Sequence, residues 1–152
     1  MSDIYKHLGR DISLLYRYNS MYMERNLEAL GIHHGQVIFM AQLFSQDGLT
    51  QEELTKILSF DKGTTAKALK KLELIGYVKK QADERDSRCN RIFLTQKARG
   101  IEQSFFNVLE EYESIATTNF SEDEVALLTS LLKSMSLNVH AFNLKATKSS
   151  ED

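Results

Sequence analysis

Between Tyr77 and Thr95 the chain reads Tyr-Val-Lys-Lys-Gln-Ala, then Asp83-Glu84-Arg85-Asp86-Ser87-Arg88, then Cys-Asn-Arg-Ile-Phe-Leu-Thr. That is a short strand, a charged tip and a second strand in which Ile92 and Leu94 alternate inward. It follows directly on a lysine-rich helix, Lys62 to Ile75. A helix carrying exposed cations beside a hairpin tipped with arginines is the arrangement of a winged DNA reader. The helix can enter a major groove, and a narrow minor groove attracts arginine.

Charge supports the same reading through its distribution. Lys56 to Arg99 holds twelve Lys and Arg against five acids, a block of +7 in a chain of formal net charge −2. The remainder is therefore −9. A concentrated positive block is the electrostatic footprint of a phosphate-binding surface. The plainer alternative is a solvated charged face with no partner.

The rest of the chain reads as helices, and the absence of proline from 152 residues agrees with long uninterrupted ones. Asp3 to Ala29 is a long first helix, with Ile4, Leu8, Ile12 and Leu15 on one apolar stripe and Gly31 just past its end. His33 to Ser45 is a second, with Val37, Met40, Ala41 and Phe44 on its buried side. Gln46-Asp47-Gly48 is a turn. Thr50-Gln51-Glu52-Glu53 matches a capping box, so a short third helix starts there and buries Leu54, Ile57 and Leu58. Asp61 caps a fourth that buries Thr65, Leu69 and Leu72 and stops at Gly76. After Thr95, Ile101, Phe105, Val108, Tyr112 and Ile115 are spaced 4-3-4-3. Ser121 caps a last helix, with Glu124 three residues on as in a capping box, and Val125, Leu128, Leu132, Met135, Val139 and Phe142 are spaced 3-4-3-4-3. Stripes this regular need a partner helix. The lobe from 35 to 95 leaves the terminal helices short of partners, which favours burial between two chains.

The expected fold is mostly α with a small β-hairpin: a winged helix-turn-helix lobe at 33–95 and a helical dimerisation lobe from 1–32 and 96–146. A disordered tail is expected at 147–152. The third and fourth helices form the helix-turn-helix, with the fourth as recognition element. With Thr65, Leu69 and Leu72 inward, Lys62, Thr64, Lys67 and Lys71 face outward as candidate phosphate and base contacts. On the hairpin Arg85 and Arg88 are candidate minor-groove and phosphate contacts. Asp83 and Asp86 read as carboxylates that orient them through bidentate pairs.

Asp83-Glu84-Arg85-Asp86-Ser87-Arg88 resembles the Asp-x-Arg-Asp-x-Arg wing of the MarR family of bacterial transcription regulators. Leu72-Glu73-Leu74-Ile75-Gly76-Tyr77-Val78 resembles that family's Leu-Glu-x-x-Gly-Leu-Val ending of the recognition helix. Leu94-Thr95-Gln96-Lys97-Ala98 resembles its Leu-Thr-x-Lys-Gly start of the next helix. The element order matches from about residue 5 to 143. The resemblance implies a homodimer built from the first and last two helices, a pseudo-palindromic double-stranded DNA operator, and most often repression. It also implies a small aromatic or phenolic ligand, often an aromatic carboxylate, between the lobes. Arg17, His33 and His34 lie near where that pocket is expected; the alternative is that they are ordinary solvent-facing polar groups. The chain departs from the family where Gly63 and Ala66 replace possible hydroxyls and lysines replace arginines. Gly63 is expected to weaken the helix's first turn by about 1 kcal/mol.

Other chemistries find little footing. His7, His33, His34 and His140 show no metal-ligand spacing, so neither metal nor cofactor is expected. Cys89, beside Arg88 and Arg91, offers a thiol-redox alternative, although peroxide-sensing relatives carry their cysteine in the first helix, where this chain has none. A non-enzymatic architectural or protein-interaction module is the other alternative. No nucleophile–base–acid set and no phosphate-cradling glycine loop is visible, so an enzyme is not expected. One cysteine makes no internal disulfide. No apolar run approaches the roughly 18 residues that span a membrane. The N-terminal Met-Ser-Asp-Ile-Tyr-Lys-His lacks the order of a signal peptide. A cytoplasmic protein is expected.

Overall fold

The computed structural model describes residues 7–83 and 90–148, with side chains to residue 143. The chain divides into two compact units, Met1–Tyr112 and Glu113–Asp152. In order the elements are α1 (Leu8–Leu27), one 3-10 turn (Glu28–Leu30), α2 (His34–Ser45), β1 (Leu49–Thr50), α3 (Gln51–Leu58), α4 (Lys62–Leu74), β2 (Val78–Ala82), β3 (Asn90–Leu94), α5 (Gln96–Ala116) and α6 (Glu122–Lys148). The mostly helical architecture is the expected one. The sheet is larger than expected: β1 pairs antiparallel with β3, Leu49 opposite Ile92 and Thr50 opposite Arg91, giving the order β1-β3-β2. Two residues show no alternation to detect in sequence; β3 supplies the edge that makes them a strand.

The core of the first unit gathers around α2, which is covered on more sides than its sequence stripe suggests. Phe39, Met40 and Leu43 are fully buried and Gln36 nearly so, whereas Val37, Ala41 and Phe44 are only half-buried. Phe39 packs on Phe60, ring centroids 5.3 Å apart, and Phe44 on Phe105 at 5.4 Å and Phe106 at 5.5 Å. The expected inward face is thus rotated toward Phe39 and Leu43, because aromatic partners arrive from two directions. Tyr22 of α1 reaches α5, its hydroxyl donating to Glu111 Oε2 at 2.8 Å beside Tyr112.

Helix α3 starts at the capping box as read. Glu53 N donates to Thr50 Oγ1 at 3.1 Å, and Thr50 N to Glu53 Oε2 at 2.7 Å. Leu54 is fully buried and Leu58 half-buried, but Ile57 is 48% exposed, against expectation. An eight-residue helix packs along one narrow stripe, and Ile57 sits at its border. Ser59 ends this helix in the left-handed region, φ 56°, with Phe60 N donating to Thr55 O at 3.2 Å and Ser59 N to Lys56 O at 3.3 Å. A serine pays a steric penalty there that glycine does not. Ser59→Gly is expected to stabilise the protein by about 0.5 kcal/mol, once the greater freedom of glycine in the unfolded chain is subtracted. Thermal melting of the two proteins checks this; a lower midpoint for Ser59→Gly refutes it.

Helix α4 hangs on α3 through a buried polar bridge. Thr65, with no exposure, donates to Asp61 O at 3.1 Å, and Thr55 Oγ1 lies 3.0 Å from the Thr65 hydroxyl. Leu69 and Leu72 are fully buried, as read. The far end closes at Gly76, whose φ of +81° suits glycine; Tyr77 N donates to Leu72 O at 2.9 Å and Gly76 N to Glu73 O at 3.0 Å. The start of α5 then holds that end. Thr95 Oγ1 donates to Gly76 O at 2.6 Å and accepts from Ala98 N at 3.2 Å, while Lys97 Nζ donates to Ile75 O at 2.5 Å. The Tyr77 hydroxyl donates to Leu30 O at 2.6 Å. These bonds give the two quoted flanking motifs a physical meaning: they hold the C-terminus of α4 against α5 and the turn after α1.

In the second unit Ser121 and Glu124 form the expected capping box, at 2.8 and 3.2 Å. Helix α6 runs to Lys148, past residue 147 where the tail was expected to begin. Glu122–Asn143 is long and apolar enough to cross a membrane by length and composition alone. Its apolar stretches are short and broken by Ser, Thr, Lys, Asn and His, so no uninterrupted apolar run in it approaches 18 residues. Lys133, Asn138 and His140 lie within it and are costly in hydrocarbon.

Candidate nucleic-acid interface

The sequence places seven of the twelve cations of the basic block on or before β2, and the structure sorts the block by whether each has a partner. Lys56 pairs with Glu52 at 2.9 Å, Lys80 with Glu73 at 3.4 Å, and Arg99 with Asp47 at 2.9 Å and Glu102 at 3.5 Å. Lys97 binds the end of α4 and lies 5.0 Å above the Tyr77 ring. Arg91 is held by Asp83 and by Gly48 O, the latter at 2.8 Å, with Glu53 at 3.7 Å. Among the described residues, Lys62, Lys67, Lys70, Lys71 and Lys79 form no ion pair. All five are exposed. Cations with internal acids stiffen the lobe; cations without them collect on the solvent face of α4 and the start of β2, where phosphate can replace water.

Of the residues read from sequence, Lys62, Thr64, Lys67 and Lys71 all lie exposed on α4, while Thr65, Leu69 and Leu72 are buried. The N-terminal turn is tightly built. Asp61 Oδ1 accepts from Thr64 N at 2.8 Å, and Thr64 Oγ1 donates to Asp61 Oδ2 at 2.6 Å. The Thr64 hydroxyl bond, followed by its backbone N–H, holds the Asp61 carboxyl below the ordinary aspartate value. Gly63 has a role in this turn beyond weakening it: a Cβ there would meet Asp61 Oδ1 at 3.1 Å. Its missing side chain leaves the carboxylate room to serve both groups of Thr64.

Asp83 ends the described part of the wing, 9% exposed, paired with Arg91 Nε. Arg85, Asp86, Arg88 and Cys89 lie outside the described residues. Sequence reading missed Arg91 as a member of the site. Its signal was available: Ile92 and Leu94 point inward, so Arg91 points to the other face, beside the acid that precedes the tip. Asp47 was missed too. Its Oδ1 accepts from Leu94 N at 2.9 Å and Gly48 N at 3.0 Å while Oδ2 holds Arg99. That carboxylate joins β3 to α5 and so positions the wing's second strand; nothing in the local pattern distinguishes it from an ordinary turn aspartate.

The proposed ligand residues are dispersed. Arg17 is exposed on α1. His33 Nδ1 lies 2.9 Å from Glu24 Oε2, and Glu24 Oε1 accepts from His34 N at 2.9 Å. Those two bonds hold the Glu24 carboxyl below its ordinary value, the His33 contact being the larger cause. Glu24 thereby supplies, from α1, an acid at the N-terminus of α2. His34 also contacts Asn19 at 3.2 Å and meets the Tyr16 ring edge-on at 5.1 Å. An open cleft of about 810 Å³ is lined by Ser20, Met21, Glu24, Arg25, Glu28, Gly31 and His33. Arg17 and His34 are not part of its lining.

Comparison with known proteins agrees with this geometry. The MarR family model matches residues 32–90, which contain the helix-turn-helix and the first hairpin strand and reach the start of the second. A MarR transcriptional regulator from Methanosarcina mazei is 37% identical, with a TM-score of 0.81 over 90% of this chain and 99% of that one. A proposed MarR family transcriptional regulator from Listeria monocytogenes, solved in complex with a 26mer DNA, is 26% identical, with a TM-score of 0.86 over 97% of this chain and 96% of that one. An uncharacterised HTH-type transcriptional regulator of Bacillus subtilis, YybA, is 25% identical over 86% of this chain and 87% of its own length.

Proposed function

The chain belongs to the MarR family of transcription regulators, and from that premise we propose that it works in the cytoplasm as a homodimeric repressor on a pseudo-palindromic double-stranded operator. Members of this family are regulators rather than enzymes. The observation that carries the proposal is the sorting of charge: among the described residues of the Lys56–Arg99 block, the cations without an ion pair share the exposed face of α4 and the adjoining strand. In this reading α4 enters the major groove, with Lys67 and Lys71 on phosphates or base edges. Arg85 and Arg88 of the wing reach the minor groove and its phosphates, and Asp83 and Asp86 steady them. Arg91 supports that wing from its base.

The dimer rests on apolar surface that a single chain leaves uncovered. Leu8, Ile12 and Leu15 on α1 are 41–57% exposed, and Leu128, Leu132, Val139 and Phe142 on α6 are 38–71% exposed. A second copy covering these stripes removes them from water. The regions 1–32 and 96–146 are assigned to that interface, and 33–95 to DNA. A small ligand that releases DNA would use the cleft beside His33, where the buried Ser20 Oγ has no hydrogen-bond partner among the described residues. Glu24 and Glu28 against Arg25 there favour a neutral phenol over a carboxylate.

The test is sedimentation together with DNA footprinting of the purified protein. The expected particle has twice the 17.4 kDa chain mass. The expected footprint is two-fold symmetric, with half-site centres about 34–36 Å apart, and affinity falls steeply as salt rises. A folded monomer at micromolar concentration, an asymmetric footprint or a flat salt dependence overturns the proposal.

A further inference from the structure

The Asp61–Thr64 pair does more than cap α4. Asp61 is acceptor-only when ionised. Its carboxyl is held below the ordinary value, so it is ionised at neutral pH. The 2.6 Å contact between Thr64 Oγ1 and Asp61 Oδ2 therefore has one possible direction, with threonine donating. The hydroxyl proton is committed to the carboxylate. What Thr64 turns to solvent is its oxygen's remaining acceptor capacity, with an ionised carboxylate behind it. The pose is braced twice more: Asp61 Oδ1 holds the Thr64 backbone N–H at 2.8 Å, and Gly63 leaves space for the carboxylate.

We propose that Thr64 is a specificity-determining residue of the recognition helix, selecting at one operator position a base that presents an amino group in the major groove. Adenine and cytosine present N6 and N4 donors there; guanine and thymine present oxygen acceptors. A threonine whose proton points at Asp61 accepts from the first two and opposes its lone pairs to O6 or O4 of the others. The same arrangement makes Thr64 a poor phosphate ligand, since a phosphate oxygen needs a donor. The inference deepens the DNA-binding reading above and rests on α4 lying in the major groove.

Asparagine tests this sharply, because it caps helices as well as aspartate. In Asp61→Asn the side-chain oxygen keeps the Thr64 N–H, while Nδ2 donates to Thr64 Oγ1 and leaves the hydroxyl proton free to point outward. Half-sites are selected from randomised duplexes with the full chain as wild type, Thr64→Val, Thr64→Ser, Asp61→Asn and Lys67→Ala. The wild type is expected to prefer A or C over G or T about three- to tenfold at one symmetry-related position, the scale of one neutral hydrogen bond. Thr64→Val flattens that position alone, Thr64→Ser keeps it, and Asp61→Asn turns it toward G or T. Melting midpoints confirm that each variant is folded. If Thr64→Val leaves the position unchanged, or Asp61→Asn retains the A or C preference, while Lys67→Ala alters neighbouring positions, the inference is wrong and the major-groove reading stands. If no variant, Lys67→Ala included, changes any preference, the major-groove reading itself fails and the inference falls with it.

Discussion

Lys67→Glu combined with Lys71→Glu is expected to weaken operator binding roughly a thousandfold at physiological salt, taking about 1 kcal/mol for each of the four lysine–DNA contacts that a dimer makes through these two positions. Both side chains are exposed on α4 without an ion pair among the described residues, so their replacement breaks no ion pair of the fold. Lys71 lies in the last turn of the helix, where a cation suits the macrodipole, and its reversal lowers the melting midpoint by no more than about 4 °C. The slope of log affinity against log salt should also fall, by about 0.9 for each phosphate no longer neutralised. Fluorescence anisotropy of a labelled operator across a salt series measures both quantities. A variant that keeps wild-type affinity and slope places the phosphate-binding surface elsewhere. The matched control is Lys80→Glu, whose parent lysine already faces Glu73 at 3.4 Å. It should lose far less.

The second large effect is on assembly. Leu128→Asp with Leu132→Asp puts two carboxylates into an apolar stripe of α6, four across a dimer. Burying unpaired charges there costs more than a dimer interface supplies, since each unpaired buried ion carries a penalty of several kcal/mol. Sedimentation should then show a particle at the 17.4 kDa chain mass, or an unfolded chain by circular dichroism. Binding to a full operator should be lost in either case. In a single chain Leu128 is 38% and Leu132 46% exposed, so a stripe that faces only water would tolerate both aspartates. Unchanged mass, unchanged melting and unchanged operator affinity together would show that this surface is not covered by a second copy.

These two variants separate surfaces that differ in how readily a sequence reveals them. The outward lysines of α4 were legible because the inward positions were. Thr65, Leu69 and Leu72 occupy one face at helical spacing, and all three are fully buried. The caps at Thr50, Asp61 and Ser121 were legible for a similar reason: a cap is a contact between residues three apart, and its chemistry is written locally. The wing's flanking motifs could be quoted from sequence, yet their purpose could not. That Lys97 holds the end of α4 and Thr95 the Gly76 carbonyl depends on two segments about twenty residues apart meeting.

What the sequence determined by itself was the order of the helices and of the two hairpin strands, the inward face of the recognition helix and the positive block around it. Periodicity and capping act over a few residues, so they survive without knowledge of the fold. Only the tertiary structure decided which cations are engaged. In the charge count Arg91 and Arg99 weigh the same as Lys67 and Lys71, and what separates them is the arrival of Asp83, Gly48 and Asp47 from elsewhere in the chain. It also decided that Leu49 and Thr50 form a strand, that α2 is covered from two directions, and that Glu24 reaches across to the start of α2. Each of these depends on a distance between residues far apart in the chain, and local propensity carries no information about such distances.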